Sequence, residues 1–92
     1  MNIGKAIRLC RTQRGMSQGE VARIAGCSVS YLSMLENNKR DPTLSTIEKI
    51  SYALRVPLGM LFFLGADAGE LQGIDKSFQS EVAITVLDLL NE

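Results

Sequence analysis

Apolar residues recur at helical spacing along most of the chain, and no run of β-branched residues alternates with polar ones as a half-buried strand requires. Ile3, Ala6, Ile7 and Cys10 share one helical face. Lys5, Arg8, Arg11 and Arg14, spaced three apart, drift slowly around the polar side. The pattern predicts a helix from about Ile3 to Arg14, stopped by Gly15. Ser17-Gln18-Gly19-Glu20 has the form of a capping box, with Ser17 as N-cap and Glu20 reaching back. The helix it opens carries Val21, Ala22, Ile24 and Ala25. It stops at Gly26, the residue type suited to a positive φ in a tight interhelical turn. A third helix follows with Ser28 as its N-cap and Leu32 and Leu35 facing inward. The polar stretch from Asn37 to Pro42 ends it.

Thr43 opens a fourth helix, on which Leu44, Ile47, Ile50, Ser51 and Leu54 trace an amphipathic stripe. Pro57 suits the first turn of a fifth, running to about Phe63 or Leu64. Gly65 to Lys76 holds three glycines and several acids and is expected to be mainly a linker, with Leu71 and Ile74 as anchors to a surface. A last helix is expected over about Ser77 to Leu90. Phe78, Val82, Val86, Leu89 and Leu90 form its stripe, which Ile84 and Leu87 widen. The expected fold class is all-α: a compact five-helix unit over residues 1–64, then an acidic linker and a C-terminal helix over residues 65–92.

Charge changes this picture only when it is mapped. Ten basic and ten acidic residues give a net charge of zero, which taken alone argues against a phosphate-rich partner. Through Leu64, however, nine basic residues stand against four acidic ones, a net of +5. From Gly65 onward a single Lys76 stands against six acids, a net of −5. The chain is charge-asymmetric rather than neutral.

Composition excludes several kinds of chemistry. There is no His, so His-based general base catalysis and His-ligated metal sites are ruled out. Cys10 and Cys27 cannot build a zinc site alone. The expectation is that Cys10 packs as a small apolar residue and Cys27 fills a turn, with a single disulfide or redox switch as the alternative. No Gly-rich phosphate loop is present. An enzyme, a metal and a cofactor are therefore not expected. No apolar run approaches the ~20 residues of a membrane span, and no signal peptide is visible. A cytoplasmic, reduced protein with no membrane partner is expected.

The most specific signal is a spacing. Gln18, Ala22, Gly26, Leu32 and Leu35 stand at relative positions 1, 5, 9, 15 and 18. Ala22 is small where the second helix crosses, Gly26 makes the turn, and Leu32 and Leu35 lock the second helix against the first. This is the arrangement of a helix-turn-helix. The chain resembles the lambda-repressor-like, XRE-type (Cro-type) helix-turn-helix regulators. The resemblance rests on Met16-Ser17-Gln18, Val21-Ala22, Ala25-Gly26, Tyr31-Leu32-Ser33, Leu35-Glu36, the loop from Lys39 to Leu44, and Ile47 to Leu54 before Val56-Pro57. It covers roughly Ile3 to Leu64, about two-thirds of the chain.

The resemblance implies a homodimer that binds double-stranded operator DNA, with the second helix of the motif in the major groove. Carried over by position, the base-facing residues are Ser28, Val29, Ser30, Ser33 and Met34. Backbone contacts fall to Gln18, which could instead support the recognition helix, and to Tyr31, Asn37, Asn38, Lys39 and Arg40, and Arg11 and Glu36 match a pair that orients the recognition helix. One departure stands out. Direct readout favours Arg or Lys on guanine and Asn or Gln on adenine. Val29, Ser30 and Met34 supply none of these, so specificity is expected to lean on thymine methyl contacts, DNA shape or dimer spacing.

A single such unit offers few contacts to DNA, and two-fold symmetry is the usual remedy. Phe62, Phe63, Phe78, Val82 and Val86 are the candidates for a dimer interface, unless the last helix folds back on its own chain. The expected function is transcriptional regulation from a palindromic operator, as in a phage-type repressor, a restriction-modification controller or an autorepressing antitoxin. The alternative is an antitoxin-like module whose acidic C-terminal segment engages another protein.

Overall fold

Five of the six helices begin at a side chain that caps them. The computed structural model describes every residue except Ala68, Ile74 and Glu92, so the expected anchor at Ile74 lies outside the described residues. Helix α1 spans Ile3–Gln13, and the Oδ1 of its N-cap Asn2 accepts the Lys5 N–H at 2.9 Å. Helix α2 spans Gln18–Ala25 behind the complete capping box: Ser17 Oγ accepts the Glu20 N–H at 3.1 Å, and the Ser17 N–H donates to Glu20 at 3.2 Å. Gly26 ends α2 in the left-handed region at φ 75°, the conformation that costs an L side chain most. Two residues later Ser28 caps α3, Val29–Glu36. Thr43 caps α4, Leu44–Leu54, and Pro57 precedes α5, Leu58–Gly65. Asp75 caps α6, Lys76–Leu90. All six elements are helical, and no strand forms among the described residues. No helix among them is long and apolar enough to cross a membrane.

The inward faces meet in one core. Ile7, Val21, Leu32, Leu35, Ile50, Leu54 and Leu61 are fully buried together with Cys10. Burial of each such aliphatic side chain is worth about 1.5–3 kcal/mol. Helix α1 packs on α5 and α3, and α2 packs on α4 and α3. The approach of α1 to the end of α3 depends on Gly4, because a Cβ there would run into the Leu35 carbonyl oxygen. Both cysteines are free, Cys10 buried and Cys27 half-buried.

Some apolar residues depart from the expected stripes. Leu44 is 57% exposed, because it is the first residue of α4 and lies a turn outside the buried run that starts at Ile47. On α6 the buried line is narrower than the sequence pattern. Val86 and Leu90 enter the core and Val82 packs against it, four residues apart, while Phe78, Ile84, Leu87 and Leu89 stay exposed. Phe78 stands one turn before Val82, out beyond the core. Val86 is buried in its own chain, and Phe62, Phe63 and Val82 are partly buried against the same core. Of the five candidates, Phe78 is the exposed one.

Candidate nucleic-acid interface

Helices α2 and α3 form a rigid corner because the turn between them is short and its ends are capped. Ser28 Oγ accepts the Tyr31 N–H at 3.0 Å, which satisfies an orphan donor of α3 and fixes its first turn. Leu32, Leu35 and Glu36 then face inward. The opposite side of α3 carries Ser30, Ser33 and Asn37, which lie at i, i+3 and i+7 and so form one line. Val29 and Ser30 are exposed, and Tyr31, Ser33 and Met34 are half-buried.

Glu36 is the electrostatic centre of the corner. Its side chain is wholly buried, at the C-terminal end of a helix whose dipole opposes negative charge. Arg11 answers with a bidentate grip: Nε donates to Oε2 at 2.7 Å and Nη2 to Oε1 at 3.0 Å. Gln18 Nε2 donates to Oε1 at 3.2 Å, and Arg8 Nε stands 3.5 Å from the same oxygen. Burial pushes the Glu36 carboxyl up, but the hydrogen bonds from Arg11, Gln18 and Arg8 outweigh it, and the group lies below the ordinary carboxylate range. The same hydrogen bond raises the Arg11 guanidinium above its usual value. Arg11 also donates to the Met16 carbonyl at 3.0 Å, so one side chain joins α1, the turn before α2, and α3.

The residues just after Glu36 continue the attachment. Arg8 Nη2 donates to Asn37 Oδ1 at 2.8 Å, and Asn37 Nδ2 donates to the Ser33 carbonyl at 2.8 Å. Asn38 adopts φ 57°, and its Nδ2 donates to Asn2 Oδ1 at 2.9 Å. Lys39 and Arg40 follow, both exposed, and the Arg40 guanidinium lies 5.7 Å from the centroid of the Tyr31 ring.

The structure thus gathers Ser28, Val29, Ser30, Tyr31, Ser33, Met34, Asn37, Asn38, Lys39 and Arg40 on α3 and its exit loop. Gln18 is turned onto Glu36, and Arg11 and Glu36 lie beneath the surface as a pair. The corner offers hydroxyl, methyl, thioether and cationic groups and no nucleophile–base pair. Among the described residues no cluster of carboxylates and thiols is arranged to hold a metal ion.

Several working residues were not visible from sequence. Arg8 reads as one more solvated helix charge. Arg14 reads the same way, yet it donates from Nε to the Leu54 carbonyl at 3.1 Å and from Nη2 to the Arg55 carbonyl at 2.9 Å, capping the end of α4. Asn38 alone left a cue, since Asn just past a helix end tolerates the left-handed region.

Comparison with known proteins agrees with this geometry. The helix-turn-helix family profile matches residues 7–61. The immunity repressor protein of Bacillus phage phi105 is 33% identical over 61 residues, covering 66% of this chain and 42% of that one. The HTH-type transcriptional regulator SinR of Bacillus subtilis is 38% identical over 60 residues, covering 64% of this chain and 54% of that one. The chain therefore spans about half the length of these relatives. The crystal structure of the restriction-modification controller protein C.AhdI from Aeromonas hydrophila superposes with a TM-score of 0.65 at 33% identity, covering 66% of this chain and 92% of that one. A capped α2–Gly26–α3 corner and a family profile that matches more than half of the sequence lead to one conclusion: the chain belongs to the XRE-type helix-turn-helix family of DNA-binding transcriptional regulators.

Proposed function

We propose that this protein binds a palindromic operator as a homodimer, with α3 of each copy in the major groove, and represses transcription there. One observation carries the reading. A firmly seated α3 turns small hydroxyl and methyl groups outward and is followed, after Asn37 and Asn38, by two exposed cations, Lys39 and Arg40. Cations beside a reading helix suit phosphates, which supply most of the affinity, while Val29, Ser30, Ser33 and Met34 suit base edges and thymine methyls. Residues 1–64 then form the DNA-binding unit, and residues 65–92 serve dimerisation or a partner. Repression is favoured by the relative named as a phage immunity repressor. Such work belongs in the cytoplasm.

The test is selection from a random duplex pool, followed by anisotropy titration across salt concentrations. An enriched two-fold-symmetric site is expected, with half-sites about one helical turn apart and affinity falling linearly in log–log salt. Enrichment of no sequence, with equal affinity for all duplexes, defeats the proposal. Lys39→Ala and Arg40→Ala are each expected to lower the salt slope by about 1.

A second reading has its own observation. Helix α6 leaves Phe78, Ile84 and Leu87 exposed near Glu81 and Asp88, a surface suited to a protein partner. Replacing Phe78, Ile84 and Leu87 with Ser tests it. Loss of a protein complex with operator binding intact favours this reading.

A further inference from the structure

Three consecutive residues at the exit of α3 are each bonded to a different position of α1 or its N-cap. Glu36 meets Arg11, Asn37 meets Arg8, and Asn38 meets Asn2. The last of these contacts shares an atom with a helix cap. Asn2 Oδ1 accepts the Lys5 N–H and the Asn38 Nδ2 at 2.9 Å each, so the start of α1 and the end of α3 hang on one oxygen. The backbones are equally close. A Cβ at Gly4 would stand 2.7 Å from Asn38 Oδ1 and 3.0 Å from the Glu36 carbonyl oxygen. Asn38 also carries the left-handed turn, φ 57°, that redirects the chain out of the helix. Both asparagine amides are therefore engaged inside the chain, at the point where Lys39 and Arg40 leave it.

We propose that Asn37 and Asn38 are positioning residues rather than DNA contacts: by pinning the exit of α3 onto α1 they aim Lys39 and Arg40 at the phosphates. The proposal rests on the operator-binding reading and deepens it. It assigns the direction of the exit loop to side chains of this chain and not to the DNA. Backbone bonds close the turn itself, the Lys39 N–H donating to the Met34 carbonyl at 2.9 Å, so the asparagine side chains set where that turn sits on α1; without the Asn38–Asn2 bond the turn shifts against α1 and carries the two cations off the phosphates.

The distinguishing property is charge. An asparagine is neutral and releases no counterion, so replacing one that merely touches a phosphate leaves the salt slope unchanged. Replacing one that aims two cations lowers it. The full chain is titrated against the duplex selected for it, over a range of salt, as wild type, Asn38→Gly, Lys39→Ala/Arg40→Ala and the combined triple variant. Glycine keeps the positive φ while removing the amide, and thermal melting within a few degrees of wild type is the expected control. Asn38→Gly is expected to weaken binding about tenfold at 0.1 M salt and to lower the slope by about 1 to 2. In the triple variant the asparagine change should add nothing to the loss of the two cations, because both act through the same contacts. If Asn38→Gly melts early, Asn37→Ala gives the same readout with the left-handed residue intact.

A weakened affinity with an unchanged slope, or a loss that adds fully in the triple variant, overturns the positioning role. So does an Asn38→Gly titration identical to wild type. If wild type itself prefers no duplex, the operator reading fails and this inference fails with it. The wild-type titration therefore separates the two failures.

Discussion

At Glu36 a carboxylate is held where both burial and the helix dipole oppose it, and the opposition is overcome by Arg11, Gln18 and Arg8. Breaking such a pair on one side leaves a buried charge with too few partners. Arg11→Ala is expected to cost about 3–5 kcal/mol in urea denaturation. The pH dependence follows from the direction of the shift. Because the folded carboxyl lies below its ordinary value, its contribution is complete above about pH 4.5 and is lost as pH falls through the depressed folded value. Wild type should therefore lose stability on acidification more steeply than Glu36→Gln, and equal slopes would refute the assignment. The thiols give a second residue-scale test. Burial pushes Cys10 up to about 11, with Arg14 only partly opposing it, and it lies fully inside the core. Native-state alkylation should modify half-buried Cys27 well before Cys10, as followed by mass spectrometry. Sequence pattern identified Arg11 and Glu36 through family resemblance alone. It had no means to see Arg8 on Asn37 or Arg14 on α4, because those contacts join residues 29 and 40 apart in the chain.

The helices were legible because their ends are local. Ser17 and Glu20, Ser28, Thr43 and Gly26 act within three or four residues of themselves, and each terminates or starts the element that its residue type predicts. Which apolar residues lie inside was less legible, because stripe width depends on what the helix rests against. Leu44 and Phe78 each fit a stripe by spacing and each overhang its end. The distinction is measurable on α6. Leu90→Ala should destabilise the monomer by about 2–4 kcal/mol, since the side chain is 2% exposed within the core. Phe78→Ser should change monomer stability by no more than about 0.5 kcal/mol. Chemical denaturation of both variants at low protein concentration decides whether α6 is part of the fold or a loosely attached arm.

Across the whole molecule, the +5 and −5 portions share a body of 39 × 28 × 19 Å. The Debye length is about 10 Å at 0.1 M salt and about 30 Å at 0.01 M, so acids on the outer side of α6 can oppose DNA from a distance only in dilute salt. Neutralising Glu81 and Asp88 to Gln should therefore change operator affinity by less than about twofold near physiological salt and by clearly more at 0.01 M. An equal effect at both would place those acids against the DNA. The attachment of α3 to α1 has a further consequence at this scale. Helix α3 has eight residues, below the ~12–15 at which an isolated helix begins to hold its shape in water. It is tied to α1 through Glu36, Asn37 and Asn38 and held by the core beneath Leu32 and Leu35. Helix α3 therefore depends on docking against α1 and the core to hold its shape. On the operator-binding proposal, a chain nicked between α1 and α3 keeps Ser28, Val29, Ser30, Ser33 and Met34 but loses the dock that shapes α3, so it should lose DNA binding together with helix content.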